Sequence, residues 1–151
     1  MNEVIQEVVG LIQSEIQKTG VVLRMELAAD LPFVFGDRVQ LQQVILNLVM
    51  HGIEAMSPVT NRSRLLLIAS RQDGSDKVLV AVRDSGIGIE RETLEKIFTA
   101  FYTTKPQGMG MGLAISRSIV ENHGGRLWAT PNDGAGVTFA FALPVAIAGA
   151  T

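Results

Sequence analysis

The run from Arg38 to Met56 sorts into two faces at helical spacing, and that sorting constrains the fold more than any other feature of the chain. Leu41, Val44, Ile45, Leu48, Gly52, Ala55 and Met56 form an apolar stripe; Gln40, Gln43, Asn47, His51 and Glu54 form a polar one. Asp37 supplies an N-cap, and Ser57-Pro58 ends the run because the residue before a proline is pushed out of the helical region. A long helix with one apolar face has to be laid against a second layer.

That layer is legible in the remaining chain. Val4, Ile5, Val8, Val9, Leu11, Ile12 and Ile16 predict an amphipathic helix ending near Thr19-Gly20, and Val21 to Leu27 alternates as a strand. Asp30-Leu31-Pro32 is a turn, followed by a short extended piece from Phe33 to Phe35. Arg64 to Arg71 and Lys77 to Arg83 are strand-like runs joined by Gln72-Asp73-Gly74-Ser75-Asp76, whose Asp-Gly pair signals an antiparallel hairpin. Arg91 to Ile97 reads as a short helix, Phe98 to Gly112 as a long loop, and Leu113 to His123 as a helix stopped by Gly124-Gly125. Arg126 to Ala129 and Val137 to Leu143 are the last strands.

At 151 residues the chain suits one domain, burying about 70% of its unfolded surface. A formal charge of -2 and the absence of a basic run in the sequence argue against nucleic acid or an anionic membrane as partner. No stretch is long and apolar enough to span a bilayer, and Met1 to Gly10 lacks the order of a signal peptide. Without cysteine there is neither a disulfide nor a thiolate metal site, which fits the cytoplasm.

Two glycine clusters carry the chemistry. Asp84-Ser85-Gly86-Ile87-Gly88-Ile89 leaves the apolar strand Val78 to Val82. A buried carboxylate there can accept from the exocyclic amine of an adenine while the glycines let the backbone approach a flat base; a plain strand-to-helix turn is the alternative. Gly108-Met109-Gly110-Met111-Gly112 runs into the helix beginning at Leu113, so unpaired N–H groups and the positive end of the helix dipole face the loop. That outlines a phosphate cradle, or else a flexible linker before a packed helix. Thr103, Thr104 and Lys105 bring hydroxyls and a cation to the same place.

With these residues in view the chain resembles a known family. Asn47 to Ala55, Asp84 to Ile89, Ile97 to Lys105 and Gly108 to Leu113 stand in the order of the N, first glycine, F and second glycine boxes of the catalytic and ATP-binding domain of two-component sensor histidine kinases. The resemblance runs from about Val4 to Pro144 and takes in His123-Gly124-Gly125-Arg126-Leu127 and Gly134-Ala135-Gly136-Val137-Thr138-Phe139. It implies an α/β fold, a two-layer sandwich of the Bergerat type with a mixed, mainly antiparallel sheet and helices on one face. It also implies ATP or ADP as ligand, with Asp84 on the adenine amine, and Gly86, Gly88 and Ile89 beside the base. Phe98 and Phe101 would anchor a lid formed by Thr103 to Gly112, with Thr103, Thr104, Lys105, Gly108, Gly110, Met111, Gly112 and Leu113 around the phosphates. Thr138 would reach the adenine through a water. Residues 1–19 would join the domain (20–145) to a dimerisation and phosphoacceptor domain outside this chain, with 146–151 a tail. A downstream response regulator would be the further partner, and the domain alone would be monomeric.

One position departs from the pattern. The family carries asparagine at the positions of both Asn47 and His51, the second of which holds Mg²⁺, whereas imidazole suits Zn, Cu, Fe or Ni better than a cation that wants oxygen. Asn47 and Glu54 lie on the same helix face and could supply oxygen; alternatively His51 binds phosphate directly, or is simply a satisfied polar side chain at the rim of the site. The other histidine, His123, sits at a helix end beside two glycines and reads as part of the stop, not as a phosphate carrier. Three functions therefore stand side by side: a phosphoryl-transferring kinase domain using Asn47, His51 and Lys105, a degenerate nucleotide-gated interaction module, and a free-standing serine kinase of the anti-sigma type.

Overall fold

The computed structural model describes residues 1–94, 96–98 and 112–146. Its central helix, α3, spans Arg38–Met56, with the Asp37 side chain accepting from the Gln40 N–H at 3.0 Å as the cap requires. Leu41, Val44, Ile45, Leu48, Val49, Gly52, Ile53 and Met56 are its buried residues, a wider stripe than the sequence pattern alone suggests. The expected N-terminal helix is two helices, α1 (Asn2–Leu11) and α2 (Gln13–Thr19), broken at Ile12 (φ −108°, ψ 9°). The break follows Gly10, a poor helix former. Both helices bury their apolar residues in the common core, and the Arg38 guanidinium grips Glu7 of α1, holding that carboxyl below its ordinary value.

The sheet has the order β1-β2-β3-β5-β4, with β1 Val22–Leu27, β2 Leu65–Asp73, β3 Lys77–Asp84, β4 Arg126–Pro131 and β5 Val137–Pro144. β1 and β2 are parallel because the chain crosses over through α3 between them; the other neighbours are antiparallel, and Gly74 at φ +70° closes the β2–β3 hairpin. The expected short helix over 91–97 is one turn of α-helix, α4 (Arg91–Leu94), then a 3₁₀ turn at Lys96–Phe98. Helix α5 covers Gly112–Asn122 and is followed by Gly124 at φ +79°.

Alternation along the strands sends Leu66 and Ile68 of β2, Val80 and Val82 of β3, and Phe139 and Phe141 of β5 toward the helices, where they form the core. The helices lie on one face of the sheet, which is the two-layer α/β sandwich that the sequence implies.

Candidate functional site

Asp84 is the last residue of β3 and points to the helix side, where it is 2% exposed. Its Oδ1 accepts from the Gly86 N–H at 2.9 Å and the Val137 N–H at 3.3 Å. Burial raises the carboxyl above its ordinary value, and these two N–H groups pull it partly back. The surroundings admit Asp84 only because side chains are missing. A Cβ on Gly136, whose φ is +93°, would lie 2.1 Å from the Asp84 carbonyl oxygen, and one on Gly86 would lie 2.6 Å from the carbonyl oxygen of Ala55. The turn after β3 is thereby pressed onto the end of α3, where the Ile87 N–H donates to that same Ala55 oxygen.

Two side chains that the sequence did not single out complete this end. Asn132 donates through Nδ2 to the carbonyls of Asp84 and Ala135, both at 2.8 Å, and its Oδ1 accepts from the Thr138 hydroxyl at 2.6 Å. Arg62 donates to the carbonyls of Ser85 and Gly86 at 2.9 and 3.0 Å. Thr138 thus lies one strand residue from the Val137 amide that holds Asp84, with its hydroxyl committed to Asn132. Ile89 packs at the margin of the core.

Helix α3 leads from this end to the next. A Cβ on Gly52 would come within 3.3 Å of the Asp84 Cβ, so Asp84 faces the helix at Gly52. The ring of His51 stands edge-on to Phe139, with centroids 5.0 Å apart, and its Nδ1 is buried. Asn47 donates through Nδ2 to the Gly112 carbonyl at 3.2 Å and to the Ser116 hydroxyl at 3.1 Å, while that hydroxyl donates to the same carbonyl at 2.9 Å. A carbonyl only accepts, so the amide group of Asn47 is oriented with nitrogen toward α5 and oxygen away. Asp84 and the N-terminus of α5 therefore address the same helix about 7.5 Å apart along its axis, the rise between Asn47 and Gly52. Leu113 continues the first turn of α5 and packs against the core.

Phe98 meets the core as a packing residue, edge-on to Phe139 at 6.2 Å and beneath the Arg117 guanidinium at 5.6 Å. Phe101, Thr103, Thr104, Lys105, Gly108, Gly110 and Met111 lie outside the described residues. His123 has both ring nitrogens engaged: Nδ1 lies 2.7 Å from the Ile119 carbonyl, and Nε2 accepts from the Asp37 N–H at 3.0 Å. It ties the end of α5 to the start of α3, in keeping with a structural role. Among the described residues no group of three His, Cys, Asp or Glu is placed to hold a metal ion. Asn47 offers an amide oxygen and His51 an imidazole packed on Phe139. An imidazole at that position does not fit Mg²⁺, which takes oxygen ligands.

Comparison with known proteins bears on this geometry. The model of the family "Histidine kinase-, DNA gyrase B-, and HSP90-like ATPase" matches residues 36–147. The chain belongs to this family. Its members bind ATP or ADP, generally with Mg²⁺. Within the family the chain is similar to sensor histidine kinases. It is 40% identical over 146 residues to the sensor protein FixL of Bradyrhizobium diazoefficiens, covering 97% of the chain and 28% of FixL. The catalytic domain of the histidine kinase ThkA, solved free of nucleotide, superposes with a TM-score of 0.82 at 39% identity, covering 95% of this chain and 93% of that one. ThkA has also been solved in complex with the response regulator protein TrrA. Full-length ShkA, solved with AMPPNP, gives a TM-score of 0.84 at 25% identity, covering 98% of this chain and 30% of its own. The chain therefore spans less than a third of the length of FixL and of ShkA.

Proposed function

We propose that this histidine-kinase ATP-binding domain delivers the γ-phosphoryl group of ATP to a histidine on a separate dimerisation domain. The carrying observation is that a buried acceptor, Asp84, and the start of α5 address the same helix, α3, one at Gly52 and the other at Asn47, little more than one turn apart. Adenine's exocyclic amine would donate to Asp84, with Gly86, Gly88 and Ile89 against the base; Thr138, in the strand row of Arg83 and bonded to Asn132, turns away from this side and is not part of the adenine contact. The triphosphate would then run along α3 past His51 and Asn47 toward the N–H groups of Gly112 and Leu113, with Gly110, Met111, Gly108, Lys105, Thr104 and Thr103 closing over it and Phe101 helping to seat that lid. The acceptor imidazole nitrogen attacks Pγ, the bond from Pγ to the bridging oxygen breaks, and ADP leaves; positioning and charge stabilisation do most of the work in such transfers. The AMPPNP held by ShkA supports the ligand class, and the ThkA–TrrA complex supports a response regulator downstream.

His51 favours a second reading, a nucleotide-gated module without transfer, because its ring packs on Phe139 where the family's Mg²⁺ ligand would stand. Calorimetry of ATP with and without Mg²⁺, on this chain and on His51→Asn, separates the two. The kinase reading expects this chain to bind ATP and to phosphorylate a supplied histidine-bearing dimerisation domain. Metal-dependent affinity that appears only in His51→Asn, with no transfer by the unchanged chain, establishes the second reading.

A further inference from the structure

The face of the sheet turned away from the helices has a pattern of its own. Strand register lines up Ala69, Ala81 and Ala140 in one row across β2, β3 and β5, ending in Glu26 on β1 and Trp128 on β4. Two residues along the strands on one side come Arg24 and Arg83; two residues along on the other come Arg71 and Arg126. All four arginines are exposed, while Leu79, Ala140 and Ala142 between them are buried without joining the main core of the opposite face. Arg71 has a loose pair with Asp73 at 3.5 Å, and Arg126 lies over the Trp128 ring at 5.1 Å. The result is a shallow trough: a floor row in which Ala69 and Ala81 are half-buried and Ala140 buried lies between two rows whose arginines flank Leu67 on one side and Leu79 and Ala142 on the other, on a chain whose formal charge is -2.

We infer that this trough docks an α-helix of a partner protein that carries glutamate or aspartate along both of its flanks. The walls are four strand residues apart, about 13 Å, which admits a helix of about 10–12 Å diameter. Arg24 and Arg83 are two strands apart, about 10 Å, matching acids one heptad apart on a helix at 1.5 Å per residue. Alanine in the floor lets a helix backbone come close, and guanidinium forks suit carboxylates. Single-stranded nucleic acid fits less well, because its sheet-face binders stack bases on several aromatic rings, and among the described residues this face has only Trp128, already covered by Arg126. A flat anionic membrane would meet the arginine tips and leave the floor empty. Since Asp84 points to the opposite face, such a partner and a nucleotide need not exclude each other.

Trp128 is the only tryptophan of the chain, so its emission reports the trough directly. The whole chain is titrated with a synthetic helical peptide that has alanine along one stripe and glutamate on both flanks. The expected result is a saturable change in Trp128 emission that weakens with salt, is absent for the lysine counterpart, and is at least about tenfold weaker in a proline-interrupted peptide of the same composition. Arg24→Glu combined with Arg71→Glu, and separately Ala81→Gln, each weaken binding about tenfold or more while circular dichroism shows the fold retained. The inference is overturned if Trp128 does not respond, if the interrupted peptide binds equally well, or if the reversal of charge changes nothing. It is also overturned if oligouridine or phosphatidylglycerol vesicles bind more tightly than the helix, or if sedimentation shows that the face is covered by a second copy of the chain.

Discussion

The two ends of the candidate site are held by different means. Around Asp84 the restraints converge on the backbone: amide donors from Gly86 and Val137, carbonyls of Ala55 and Asp84 in near contact with glycines, and carbonyls clamped by Asn132 and Arg62. Around Gly112 the restraints are side chains, the amide of Asn47 and the hydroxyl of Ser116, on a single carbonyl. Backbone restraints leave one geometry available and fail together with the fold. Side-chain restraints can open one at a time, because breaking two hydrogen bonds costs only about 1 kcal/mol each. The first end is held through many converging contacts, and the second through two side chains on one carbonyl.

Substitution tests that contrast. The largest effect is expected from Gly136→Ala, which forces a Cβ onto the Asp84 carbonyl at a φ of +93°. A loss of about 3 kcal/mol in urea unfolding, with nucleotide binding abolished, follows from strain plus overpacking; a fully stable variant would mean that this end yields after all.

Asp84→Asn should separate affinity from stability. Calorimetry is expected to show ATP binding weakened by about 1.5–3 kcal/mol, the worth of a hydrogen bond to a charged acceptor. Stability should move the other way. Burial raises the folded carboxyl above its ordinary value, so the wild-type carboxylate is a burden above the folded pKa that is relieved as pH falls through it. The asparagine variant should therefore be the more stable near neutrality, with the difference closing in acid; a difference independent of pH counts against the buried-charge account.

At the other end, Asn47→Ala and Ser116→Ala should each lower stability by about 1 kcal/mol, and the double variant by less than the sum, because the two share one carbonyl. Strict additivity in thermal unfolding would show that they act separately. The smallest effect belongs to Arg117→Gln, which removes an exposed cation from the Phe98 ring and should cost about 0.5 kcal/mol. A larger loss would mean that Phe98 depends on Arg117 for its place.

Periodicity and caps made much of this molecule legible in one dimension. The α3 N-cap, the β2–β3 hairpin, the α5 stop at Gly124 and the pairing of Asp84 with Gly86 all follow from interactions between residues close in sequence, whereas Ser57 stays helical although Pro58 follows it. Others needed the third dimension. Asn132 and Arg62 look like ordinary turn and loop residues until folding brings them to carbonyls 48 and 23 positions away. Gly136 is needed because a strand end from elsewhere in the chain passes against it. The arginines at 24, 71, 83 and 126 form no run in the sequence, yet become a single surface. Local chemistry decides which segments are helix or strand. Which distant residues share a face is decided by sheet register, whose period of two sends each side chain to one layer or the other only once its neighbours are chosen.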